Sequence, residues 1–230
     1  MITQTVPVKN TVLTPELHSY VLSHCLTPDP LLDDLAAQTR TLIPGQAHMM
    51  VAPEQGALLT LLVRLLQARA VVEVGTFTGY SSLCLARGLP LGGTLTTCEL
   101  SADYAAVARA YWERAGVDDR ISLRVGPALD SLRALPSVPH VDLAFIDADK
   151  PGYIAYWEEL VPRMVPGGLI IVDNTLFNGE VLDADPAPKP AAVAAFNRHA
   201  LADPRVERVM LPIADGVLLA RRLSYADRPL

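Results

Sequence analysis

Five short apolar runs decide most of what this chain can become. They cover residues 70–74, 94–98, 121–125, 141–146 and 169–172. The segments between them, near 80–88, 102–115, 127–134 and 151–164, carry apolar residues at helical spacing. A strand that is apolar almost throughout has no face for water, so it sits inside a parallel sheet with helices above and below. The tail changes character. A helix over 189–201 leads into "RVERVMLPI" and "GVLLARRL", joined by Ala214-Asp215-Gly216. That spacing predicts a hairpin, so the sheet ends with an antiparallel strand.

Ahead of the first run the sequence reads as helices. Thr14-Pro15-Glu16 supplies a cap, a proline at the first helical position and an early acid, which starts a helix running to about Cys25. A second helix covers about 31–42, and Pro53-Glu54 opens a third, "PEQGALLTLLVRLLQA". The expected fold is therefore α/β: a Rossmann-like, mostly parallel sheet of seven strands with a C-terminal antiparallel hairpin, helices on both faces and extra N-terminal helices. We read residues 1–230 as one domain, with 1–45 a helical lid or dimer segment and "DADPAPKPA" (183–191) a proline-rich loop.

Composition removes several function classes. Net charge is −6, pI is about 5.3 and there is no run of Lys or Arg, so nucleic acid is not the expected partner. No apolar stretch is read as reaching the roughly 18 residues that span a bilayer, and the N-terminus lacks a basic start followed by an apolar leader. The expectation is a cytoplasmic protein with no membrane partner. Cys25, Cys84 and Cys98 are widely spaced without a C-x-x-C, which fits free thiols rather than a disulfide frame or a zinc site.

The first strand runs into Gly75-Thr76-Phe77-Thr78-Gly79, a glycine turn that opens a helix. In open α/β sheets ligands bind at this carboxyl edge. A dinucleotide fingerprint needs glycine where Phe77 stands, because the backbone must approach a pyrophosphate there. The benzyl side chain argues against NAD or FAD and favours an adenosine cofactor without a pyrophosphate, such as S-adenosylmethionine (SAM). Glu99, closing the second strand, suits the ribose hydroxyls. Glu73 lies within the apolar first strand, so its carboxylate needs a partner. That partner is either the ligand's ammonium or donors that fasten the N-terminal segment to the sheet.

Two further strands end in acids. The fourth ends "LAFIDADK", giving Asp147, Asp149 and Lys150, and the fifth ends "LIIVDN", giving Asp173 and Asn174. If these strands are neighbours, Asp147, Asp173 and Asn174 converge as oxygen ligands suited to Mg²⁺, Mn²⁺ or Ca²⁺. The chemistry suggested is methyl transfer to a phenol. A free phenol has a pKa of about 10 and is mostly protonated at neutral pH. A chelated cation favours the phenolate, and Lys150 is placed to take the proton.

Together "VVEVGTFTGYSSLCLA", "TCEL", "DLAFIDADKPGY" and "GGLIIVDNTLFNGEV" resemble the cation-dependent O-methyltransferases, the family of the caffeoyl-CoA and catechol enzymes. The resemblance runs from about Leu42 to the C-terminus. It implies a class I methyltransferase fold, a homodimer and a vicinal dihydroxy aromatic as the small-molecule substrate. It implies Lys150 as general base, with Asp147 beside it in the catalytic centre, and metal binding by Asp147, Asp173 and Asn174. For SAM it implies Val51, Glu73, Gly75, Thr76, Phe77, Ser81, Glu99, Ala128 and Asp147. Asp149 and Asn178 fall where relatives touch substrate. Gly126-Pro127-Ala128 carries no side-chain hydroxyl near the adenine, so the N–H of Ala128 has to serve. Two other readings remain at this point: a catalytically silent SAM- or nucleoside-binding protein, and an NAD-dependent oxidoreductase.

Overall fold

The computed structural model describes residues 11–25 and 27–227. Seven strands form one sheet in the order β3-β2-β1-β4-β5-β7-β6. They are β1 (Ala70–Val74), β2 (Thr94–Glu99), β3 (Ile121–Val125), β4 (Val141–Ile146), β5 (Met164–Val172), β6 (Val206–Leu211) and β7 (Val217–Arg222). The first five pair in parallel, and β7 runs against β5 and β6. The expected hairpin does end the sheet. Its second strand inserts next to β5, which leaves β6 at the edge.

Alternation along β1 shows how the helices are shared between the faces. Val71 points into a core with α2 (Pro30–Leu42), α3 (Pro53–Leu66), α4 (Tyr80–Gly88) and α5 (Ala102–Ala115), where Leu35, Leu59, Leu83 and Trp112 are buried. Val72 and Val74 point into a second core under α6 (Ala128–Arg133), α7 (Tyr153–Leu160) and α8 (Pro188–Ala202), filled by Leu132, Trp157 and Phe196. Both faces are covered, as the apolar strands require. By contrast α1 (Pro15–Cys25) buries none of its residues.

Two boundaries and one reading of composition differ from the sequence analysis. The helix expected over 151–164 is a 3-10 turn at Lys150–Gly152, then α7, then a 3-10 turn at Val161–Arg163. Pro162 has no N–H to continue the α ladder, and Met164 already belongs to β5. The loop expected over 183–191 is shorter, because Pro188 and Pro190 lie in the first turn of α8, where a missing N–H costs nothing. Finally, Ala47–Leu66 is long and apolar enough by length and composition to cross a membrane, with a mean hydropathy of 1.4, contrary to the expectation that no such stretch exists. In the fold it is a 3-10 turn, a break and α3, whose Gln55, Gly56, Leu59 and Val63 are buried against the rest of the chain.

Candidate active site

The carboxyl ends of β1, β2, β4 and β5 form one edge, which carries Glu73, Gly75, Thr76, Phe77, Glu99, Asp147, Asp149, Lys150, Asp173 and Asn174, while Val51 precedes α3, Ser81 lies in α4, Ala128 follows β3 and Asn178 lies in the 3-10 turn after β5. The glycine turn holds that edge together. Gly75 has φ +101°, and a Cβ on it would stand 1.9 Å from the Asp147 carbonyl oxygen. Only glycine permits that approach, which joins the end of β1 to the end of β4. Phe77 follows at φ +50°, its ring edge-on to Tyr104 with centroids 5.0 Å apart.

Two glutamates fix the turn from below. The Phe77 N–H donates to Glu99 Oε2 at 2.7 Å and the Ser101 N–H to Glu99 Oε1 at 2.8 Å. Glu99 thus shapes the turn while each oxygen keeps a lone pair for a further donor. Glu73 is fully buried. Its Oε2 accepts from the Ser82 hydroxyl and, at 2.6 Å, from Thr97 Oγ1, while Oε1 is buried with no partner. Burial pushes its pKa up to about 7 against the pull of the Ser81, Ser82 and Thr97 hydroxyls, and the charge of Asp147 adds to the rise. An orphaned carboxylate oxygen beside the turn suits a cationic ligand group better than a purely structural fastening. Thr76 Oγ1 lies 2.5 Å from Thr97 Oγ1, so its side chain belongs to the same network. Val51 is buried just ahead of α3, and Ala128 is the first residue of α6, where its N–H has no partner within the helix.

The second cluster carries the charge. Lys150 Nζ donates to Asp147 Oδ1 at 3.1 Å, to Asn174 Oδ1 at 2.5 Å and to the Tyr153 hydroxyl at 2.6 Å. Oxygens from the ends of two neighbouring strands therefore converge on Lys150 Nζ. Asp173 is 3% exposed, and its Oδ1 accepts from Gln55 Nε2 and from the Asn174 N–H, both at 2.7 Å. Burial raises its pKa and the nearby Asp147 raises it further, beyond what Asn174, Gln55 and Lys150 counteract. Its negative charge is only partly compensated, which is the state a cation would relieve. The donor set is two carboxylates and an amide oxygen; among the described residues no group of three or more His, Cys, Asp or Glu has metal-binding geometry. Oxygen-only donors fit a hard divalent cation rather than zinc.

The two residues expected to meet substrate behave differently. Asp149 caps the 3-10 turn by accepting from the Gly152 N–H at 3.1 Å and also accepts from the Tyr156 hydroxyl. Each of its oxygens keeps a lone pair for a further donor. Asn178 is exposed at φ +52° and its side chain is free of hydrogen bonds among the described residues. Three participants escaped the sequence reading. Gln55 holds Asp173, Tyr153 takes a hydrogen bond from Lys150 and donates to the Asp173 carbonyl at 3.2 Å, and Asp215 accepts from Asn174 Nδ2 at 3.3 Å.

Residues 23–223 match the family model described as O-methyltransferase. A probable caffeoyl-CoA O-methyltransferase of Dictyostelium discoideum is 39% identical over 181 residues, covering 76% of this chain and 79% of the relative. A catechol O-methyltransferase of Niastella koreensis is 38% identical over 198 residues, covering 82% and 89%. The solved O-methyltransferase of Bacillus cereus, in complex with SAH, superposes with a TM-score of 0.82 at 36% identity, covering 90% of this chain and 97% of that one.

Proposed function

The chain belongs to the O-methyltransferase family, and from that premise we propose that it moves the methyl group of SAM to one hydroxyl of a vicinal dihydroxy aromatic with a divalent cation, Mg²⁺ first, at Asp147, Asp173 and Asn174. It is a SAM-dependent O-methyltransferase of the caffeoyl-CoA and catechol type. The observation that carries the finer reading is the convergence of Asp147 Oδ1 and Asn174 Oδ1 on Lys150 Nζ, beside the buried Asp173.

Each side chain then has a task. Glu73 Oε1 receives the ammonium of the methionine end, and Glu99 receives the ribose hydroxyls while holding Phe77 in place. Val51, Gly75, Thr76, Ser81 and Ala128 line the same cleft. When bound, the cation favours the phenolate form of the acceptor. Lys150, in its neutral form, takes the hydroxyl proton on Nζ, and Tyr153 keeps Nζ aimed at the cluster. The acceptor oxygen bonds to the sulfonium methyl in line as the methyl–sulfur bond breaks, and the thioether S-adenosylhomocysteine leaves with that electron pair. No covalent enzyme intermediate is needed, so the protein contributes alignment and exclusion of water. Asn178 and Asp149 are the substrate contacts, Asp149 being held by Tyr156 and by the 3-10 turn that carries Lys150.

The assembly we propose is a homodimer. Leu13, Leu17, Tyr20, Leu61 and Leu65 are exposed on and beside α1 and α3, an apolar surface that a second copy would cover. Sedimentation at micromolar concentration tests it, and a monomer would refute it. Free Cys25, Cys84 and Cys98 fit the cytoplasm. For the reaction, the experiment is a panel of catechols methylated with Mg²⁺ and again with EDTA. Turnover that EDTA abolishes is expected. Full activity in EDTA would remove the cation from the mechanism, and no turnover on any phenol would revive the silent-binder reading.

A further inference from the structure

Asp215 sits in the turn between β6 and β7, far in sequence from the ends of β4 and β5. Its two carboxylate oxygens are divided between two partners. Oδ2 accepts from Asn174 Nδ2 at 3.3 Å, and Oδ1 accepts from the Asn178 backbone N–H at 2.6 Å. The Asp215 carbonyl also accepts from the Leu176 N–H at 2.9 Å, and the Gly216 carbonyl from Thr175 at 3.0 Å. One turn of the terminal hairpin thus grips the whole segment that follows β5.

That segment needs a grip. Asn174, Phe177, Asn178 and Gly179 have φ of +55°, +45°, +52° and +84°. Three of these are not glycine, and such a series persists only where surrounding structure holds it. The amide of Asn174 has a second freedom, because its oxygen and nitrogen exchange places by rotation about one bond. In the structure Oδ1 faces Lys150 and Nδ2 faces Asp215. The reverse orientation would turn an NH₂ toward the ammonium and the oxygen toward a carboxylate, two repulsive contacts instead of two attractive ones.

We propose that Asp215 is a positioning residue for the cation site. It sets which atom of the Asn174 amide faces the cation and, through the Asn178 N–H, ties that choice to the backbone at the substrate side. This rests on the metal reading given above. Outer partners of metal ligands typically change metal affinity about 10- to 100-fold when removed.

The test uses the full chain and Mn²⁺ alone, its binding followed by electron paramagnetic resonance. Asp215→Ala is expected to weaken Mn²⁺ binding about 10- to 100-fold. Its affinity for SAH, measured in EDTA, is expected to stay within about twofold. Asp215→Asn offers a single oxygen, so it satisfies one donor and opposes the other, and its Mn²⁺ affinity falls between the two. If Asp215→Ala does not fold, Asp215→Asn decides alone. Mn²⁺ affinity within twofold of the unsubstituted chain overturns the proposal. Equal loss of Mn²⁺ and SAH affinity overturns it as well, because Asp215 would then support the fold generally. An unsubstituted chain that binds no Mn²⁺ overturns the metal reading itself and this inference with it.

Discussion

Asp173 and Asp203 are both buried aspartates, 3% and 6% exposed, yet their surroundings push them in opposite directions. Asp203 ends α8 at the corner between α7 and β6. Burial alone would raise its pKa. The Arg205 guanidinium and backbone N–H, with the Trp157 indole N–H, outweigh that and hold it at about 2. Asp173 receives only neutral amides directly, and the cation nearest to it, Lys150, is spent on Asp147, Asn174 and Tyr153. Its pKa rises. Both carboxylates are well hydrogen-bonded. What separates them is a full positive charge in contact. A buried acid with its own guanidinium is finished as structure, whereas one left with neutral donors still has charge to offer a ligand.

The contrast breaks most visibly in turnover. Asp173→Ala removes one of the proposed cation ligands, and losing several kcal/mol of charge stabilisation lowers kcat/KM by about 10³-fold. The melting temperature should fall only slightly, since relief of an incompletely compensated buried acid offsets the Gln55 and Asn174 donors left unpaired. A large fall in melting temperature with turnover intact would make Asp173 a second Asp203. Lys150→Ala is expected to lower kcat about 10²- to 10⁴-fold, the range for losing a general base, with SAM affinity almost unchanged. Loss of SAM affinity in proportion would move Lys150 into the cofactor cleft.

How much of this was legible beforehand follows the same division. The strands were readable because burial on both faces leaves an apolar run with little ambiguity. That Asp147, Lys150, Asp173 and Asn174 stand together was readable because polar groups at the ends of such runs have little packing reason to be there. Gln55, Tyr153 and Asp215 were not, since each already had a local explanation: a helix start, a helix aromatic, a turn. Their roles come from contacts across 118 residues for Gln55 and 41 for Asp215, which no local pattern records. Nor did any local pattern record that Asp149, expected beside substrate from the resemblance, caps a turn and holds Tyr156. The break after Leu160 was visible in Pro162 but was overridden by the helical spacing around it.

Glu73 sharpens the comparison through pH, because it lies on the ligand side of the divide. Its pKa rises from 4.5 to about 7 on folding. Between those values the unfolded chain has lost the proton and the folded chain keeps it, so stability falls as pH rises from about 4.5 to about 7. At about 1.4 kcal/mol per unit the loss amounts to about 3 kcal/mol. Glu73→Gln should flatten that slope in chemical denaturation at pH 5 and pH 7, and should weaken SAM binding at pH 7. The raised Asp173 contributes a slope of the same sign, so part of it remains; a slope left unchanged by the substitution would mean that Glu73 contributes none of it.

Asp203 gives the smallest effect and the opposite sign. Its pKa falls from 3.8 to about 2 on folding, so its contribution is present above pH 4 and disappears as pH drops through about 2. The shift corresponds to about 2 kcal/mol at neutral pH, less than a fully buried pair would give, because Arg205 is 30% exposed and also contacts Glu158. Asp203→Asn keeps an acceptor for Trp157 but loses the charge facing Arg205. Denaturation at pH 7 should therefore show about 2 kcal/mol of lost stability, with kcat/KM unchanged. Repeated near pH 2.5, about two-thirds of that difference should vanish, since the unfolded chain is by then protonated at this position and folding has to release that proton. A deficit that stayed constant with pH would mean that packing at the α7–α8 corner, and not the ion pair, is what Asp203 supplies. The division between finished and unfinished carboxylates would then rest on Asp173 and Glu73 alone.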